Sequence, residues 1–282
     1  MKVGWTKLVP FVALVACATG GWMCQRGGAA RAAMETVAPS PAAEMIVAGL
    51  GGFRGIAAEV VWFRADRLQD EGRYAELAQL AAWLTFLEPH TPEVWAFTAW
   101  NLAYNVSVMM PTHADRWRWV EAGLKLLRDD GLRLNPGDPV LYKELAWMFL
   151  LKLGGTLDEA SNYYRTEWKE MYEKGVKEGN LSALGLEKAK MDAIDAEYGQ
   201  QDWSNPYACA LYWSVQGLAA ARKPAHRQEL RQVLYQTLML ESRKEPRFAQ
   251  RALDEMRKAY AEHPSQMLLQ IMVKFKESHG LD

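Results

Sequence analysis

The chain has 282 residues, half of them hydrophobic, and a formal net charge of −1 at pH 7. Such a length buries a sizeable core in one large or two small domains, and the near-neutral balance removes nucleic acid and acidic ligands from the default partners. Twelve tryptophans are the compositional oddity. Trp joins a large apolar body to one N–H donor and so serves cores and binding grooves alike. Cys17, Cys24 and Cys209 make no disulfide framework.

Lys2 and Lys7 precede an apolar run, Leu8 to Cys17, that continues more weakly to Met23. At about 16 residues it sits at the lower edge of what spans a bilayer. Arg26 and Arg31 follow, so the charge flanks orient the segment only weakly. Three outcomes stand: an uncleaved anchor, a cleaved signal peptide, or a lipoprotein. In the last, Leu14-Val15-Ala16-Cys17 is the lipobox and Cys17 the lipidated residue. Each carries the body across the membrane. Residues 1–24 are therefore read as targeting segment and 25–43, rich in Ala, Gly, Pro and Arg, as linker. The glycines of 49–55 lack the strand and the spacing of a phosphate loop and read as a flexible entry to the next helix.

From Ile56 the apolar spacing is helical nearly to the end. Ile56, Val60, Phe63 and Leu68 mark a first helix that stops at Gly72. Tyr74 to Leu87 marks a second, ended by Pro89. Pro92 opens a third, since Pro suits a first turn where its missing N–H has no partner to lose. It runs to about Val108. Asp115 is expected to cap a fourth, to Leu134. Pro139 opens a fifth, to about Leu151, and Leu157-Asp158 a long sixth. Further helices are expected up to Tyr198, from Pro206 to Ala221, and over about 226–243, 246–262 and 264–277. No alternating segment suggests a strand, so the class is all-α.

One stretch contains its own copy. Leu87, Pro89, Pro92, Trp95, Ala99 and Trp100 recur as Leu134, Pro136, Pro139, Tyr142, Ala146 and Trp147, 47 residues on. A fixed period in this range signals stacked supersecondary units. Ala65, Gly72-Arg73-Tyr74 and the unit ends Leu87-Glu88-Pro89 and Leu134-Asn135-Pro136 resemble the tetratricopeptide repeats. The whole chain also resembles poorly characterised bacterial membrane-anchored repeat proteins. The resemblance implies an irregular α-solenoid, a right-handed superhelix of helical hairpins after an N-terminal membrane-targeting helix. Residues 44–151 form the clear repeats and 152–282 the degenerate ones. The middle unit is longer than the family's 34 residues by about 13.

Chemistry was sought along the same chain. Motifs for zinc, for thiol redox work and for a serine nucleophile are missing from the sequence, so no cofactor or metal is expected. His90, His113 and His263 sit beside prolines at helix ends and read as solvated or capping. Asp66 and Asp70 share a helix face among arginines and read as surface ion pairs. Arg116-Trp117-Arg118-Trp119 offers Arg and Trp for stacking, but a helix spreads the four around its circumference. Five steps of about 100° put Trp100 and Trp147 roughly 140° from Trp95 and Tyr142, on a second face. In a tetratricopeptide-like stack that face tends to be the concave one. Trp100, Asn101, Tyr104, Arg116, Arg118 and Trp147 are thus the expected groove residues. The expectation is a non-catalytic scaffold on the outer side of a bacterial cytoplasmic membrane that binds a protein or peptide. The alternative is an aromatic-lined glycan-active enzyme using Glu144 or Asp202 as its acid.

Overall fold

A computed structural model describes residues 49–281. The targeting segment, the linker and the lipidation candidate Cys17 lie outside the described residues. All regular structure among those residues is helical. Helix α1 is Arg54–Asp70, α2 Tyr74–Leu87, α3 Pro92–Trp100, α4 His113–Lys125, α5 Pro139–Trp147 and α6 Ser161–Glu178. Then follow α7 Lys188–Tyr198, α8 Pro206–Ala220, α9 Pro224–Ser242, α10 Phe248–Glu262 and α11 Gln266–His279.

The punctuation explains these limits. Pro stands in the first turn of α3, α5, α8 and α9. Asp138 and Asn205 cap α5 and α8, accepting from Val140 N–H at 2.8 Å and Tyr207 N–H at 3.1 Å. Two expectations are corrected. Thr112, not Asp115, caps α4, because its hydroxyl accepts from the Asp115 N–H at 3.1 Å. Helix α6 starts at Ser161 rather than at 157–158, since Asp158 is spent on a turn in which its carboxylate accepts from Ala160 N–H at 2.9 Å.

The described residues form two compact units that divide after Glu88. In the first, α1 and α2 make a hairpin around Gly72, whose φ of 68° suits glycine. Ala57, Ala58, Val61, Ala65 and Leu68 of α1 and Leu77, Ala81 and Leu84 of α2 are among its buried residues. The Arg54 guanidinium donates to the Leu87 carbonyl and ties the open ends together.

In the second unit α3 packs on α4 and on α5, α5 on α8, α8 on α9, α9 on α10 and α10 on α11. Helix α6 lies against α4 and the end of α5. Residues on both sides of Leu151 are thus packed into the same unit. At Gly123 of α4 an added Cβ would stand 2.8 Å from the Ala99 carbonyl oxygen and 3.4 Å from the Ala103 Cβ. Only glycine lets the two helices meet there.

The 47-residue copy is also a copy in backbone. Helix α3 continues without a break into a wide i→i+5 segment, Asn101–Val106, and α5 into Met148–Leu153. Asn101 and Met148 are register partners, as are Val106 and Leu153. A third wide segment, Leu126–Gly131, extends α4. Wide turns are rare in helices and cluster at functional positions.

Candidate binding ledge and its buried support

The two register-matched wide segments touch each other. On one side they bury the expected stripe: Trp95, Ala99, Leu102 and Val106 are all in the core. The Trp95 N–H donates to the Pro89 carbonyl at 2.9 Å, so that ring is fixed. Trp100, on the second face, is 42% exposed. Its ring stacks on Tyr104 with centroids 5.4 Å apart and planes at 20°. Trp147, its copy, is half-buried, and Tyr142 stacks on Trp213 at 6.0 Å. The Trp100–Tyr104 pair is therefore an aromatic ledge on the helix surface.

Beneath Tyr104 lies a charge. Lys152 is 3% exposed, and its ammonium stands 5.2 Å from the Tyr104 ring centre and 5.6 Å from that of Tyr164. It donates to the Asp158 carboxylate at 2.6 Å. The Tyr164 hydroxyl donates to the same carboxylate at 3.2 Å, and the Arg116 guanidinium is 3.6 Å away. Burial pushes the Lys152 pKa down, and Asp158 offsets this only in part. Burial also raises the Asp158 carboxyl, yet Lys152, the Ala160 N–H and Tyr164 more than compensate, and it is held low. The pair is ionised, as a buried charge must be to keep such partners. Burial, helped by the Glu144 carboxylate, pushes the Tyr104 phenol well up, so its hydroxyl stays protonated.

Arg116 adjoins this support. Its Nε donates to the Met110 carbonyl at 3.0 Å and another nitrogen reaches the exposed Glu159 at 2.8 Å. Arg118 is exposed and pairs with Asp115 at 3.0 Å, while Trp117 and Trp119 are core. Asn101 is buried, and its carbonyl accepts from the Asn105 side chain at 2.9 Å while its own amide nitrogen has no partner among the described residues. The histidines are as expected: His90 meets the Leu134 carbonyl at 3.1 Å near the end of the helical run that began at α4. Arg67 and Arg73 do make surface ion pairs, but with Glu71 and Glu76 rather than with Asp66 and Asp70.

Glu144 and Asp202 occupy separate surroundings. Burial raises the Glu144 pKa against the pull of Lys143, whose ammonium also reaches Glu229 at 3.2 Å. Asp202 is exposed and accepts from Ser204 N–H at 3.0 Å. Sequence reasoning missed Lys152, Asp158 and Tyr164. The available signal was a single lysine inside the apolar run 148–153, which needs a buried partner. It also missed Glu241, buried at the end of α9 with one carboxylate oxygen unpartnered. No group of three or more potential metal ligands occurs among the described residues, and no described helix is long and apolar enough to cross a membrane. Compared with known protein families, curated proteins and solved structures, the chain matches none.

Proposed function

We propose that the protein is a membrane-tethered scaffold, an irregular right-handed α-solenoid of tetratricopeptide-like hairpins. It holds a protein or peptide segment on the Trp100–Tyr104 ledge, outside the cytoplasmic membrane of a bacterium. The observation that carries the reading is the exposed Trp100 ring, stacked on Tyr104 directly over the buried Lys152 network. Large aromatics left in water on a rigid support are the usual anchors of protein interfaces. Support comes from below: the Lys152–Asp158 pair fixes the wide segments, so the ledge is pre-organised and little ordering is needed on binding. The succession of α3, α5 and α8, each packed on the next, supports the stacked-hairpin reading. The membrane tether rests on the apolar run before the linker. Photo-crosslinking from position 100 in detergent-solubilised membranes tests the reading. A discrete adduct from position 100, absent from exposed position 251, is expected; the same smear from both would refute a dedicated ledge.

A further inference from the structure

Helix α1 buries one side against α2 and leaves another apolar side bare. Phe53, just before it, and Ile56, Val60 and Phe63 are 70%, 58%, 49% and 78% exposed. Their spacing of three, four and three residues aligns them in one stripe about 15 Å long. A surface helix ordinarily turns charged residues to water here. The charges on α1 are instead sorted. At about 100° per residue, Arg67 falls within the apolar stripe and Arg64 borders it on one side, while Asp70, Glu59 and Asp66 fall to the other side.

An open depression of about 450 Å³ lies along the stripe, lined by Val60, Phe63, Arg64, Arg67, Arg73 and Glu71 among others. Arg67 and Arg73 share Glu71. Arg64 makes no ion pair or hydrogen bond with any described residue. The lining therefore carries a surplus of positive charge beside four bare apolar side chains. This combination is that of a helix lying in a membrane interface, with apolar side chains toward the acyl boundary and arginines at anionic headgroups. Thirty residues separate the apolar run ending at Met23 from Arg54, so a chain held at Met23 keeps α1 near the same bilayer.

We propose that the outer stripe of α1 is a second membrane contact, docking on the anionic headgroup surface of the bilayer that anchors the N-terminus. Phe53, Ile56, Val60 and Phe63 enter the interface, and Arg64, aided by Arg67, meets lipid phosphate. The proposal rests on the tether of the preceding section only for proximity. The tether and the docked face separate in one experiment. The full chain with Cys17→Ser, Cys24→Ser and Phe63→Cys, labelled at 63 with an environment-sensitive fluorophore, is reconstituted with vesicles. One set is phosphatidylcholine alone and the other also contains phosphatidylglycerol.

Flotation with both sets reports the tether. A several-fold emission rise with a blue shift only in the anionic set reports the docked stripe. The same label at Arg251→Cys should stay unshifted. Replacing Arg64 and Arg67 with Gln should lower the inserted fraction about fivefold per arginine, with flotation unchanged. Flotation with an unshifted label in anionic vesicles overturns the docked face and leaves the tether standing. A label already blue-shifted without lipid, in proportion to protein concentration, assigns the stripe to a second copy of the chain and overturns the proposal as well. Loss of flotation together with an unshifted label overturns the docked face and also rules out an uncleaved anchor, the one tether that survives Cys17→Ser.

Discussion

At the scale of single residues, the fold turns on how two buried charges are treated. Lys152 keeps its ammonium in the core because Asp158 is 2.6 Å away, with Tyr104 and Tyr164 around it. Removing one member of such a pair strands the other, at about 3–5 kcal/mol. Asp158→Ala should therefore cost that much, because it leaves Lys152 beside Arg116 without a counter-charge. Lys152→Met should cost clearly less, because Asp158 keeps Arg116, Tyr164 and the Ala160 N–H. Denaturant unfolding of both variants decides, and equal losses would contradict the assignment.

Glu241 is handled the other way, with no cationic group among the described residues hydrogen-bonded to it. Burial, with Glu245 and Asp202 adding and Arg247 and Lys244 subtracting, pushes its pKa from 4.5 up to about 7. The folded state thus holds a proton at pH values where the unfolded chain has released it. The contribution is full below the unfolded pKa and is lost as pH rises through the folded one. It amounts to something on the order of 3 kcal/mol across that window. Glu241→Gln should be more stable than the parent at pH 8, with the gap closing near pH 4.5. Unfolding curves that stay parallel across that range would show that Glu241 is not buried protonated.

At the scale of elements, small residues set how closely helices approach. Ala65, Ala99 and Ala146 are all fully buried, and Ala99 faces Gly123 across the α3–α4 contact. Ala99→Leu and Ala146→Leu should each overpack by about 1–3 kcal/mol. An unchanged thermal midpoint in both would remove the register that relates α3 to α5. Much of this level is legible in the sequence. Pro92, Pro139 and Pro206 mark helix starts through a fixed φ, and Gly72 marks a stop through its left-handed turn. The wide segments after Trp100 and Trp147 are not legible, because an inserted turn leaves the apolar residues buried on either side and the pattern unbroken. The buried half of the candidate site was hidden for a related reason. Lys152 and Asp158 come from a helix end and a turn, and sequence spacing says nothing about a contact made by tertiary packing. Arg116, offered by the sequence as a stacking group beside Trp117, is half-buried and meets Asp158 and Glu159.

At the scale of the whole molecule, the described residues form two compact units, and the chain ahead of them carries the apolar run. The full chain should fractionate with membranes, and a chain beginning at Pro41 should be soluble and folded. A cytosolic full chain with an aggregating truncation would reverse that order. The central claim is that the Trp100–Tyr104 ledge is there to bind and not to pack, and one comparison of unfolding free energies tests it most directly. Trp168 is 1% exposed and edge-on to Phe149 at 4.7 Å, so Trp168→Ala should cost about 3–5 kcal/mol. Trp100→Ala, measured alongside it, should cost about 1 kcal/mol or less while losing the partner that the parent chain captures. A loss for Trp100→Ala as large as that for Trp168→Ala would place Trp100 in the core and contradict the claim.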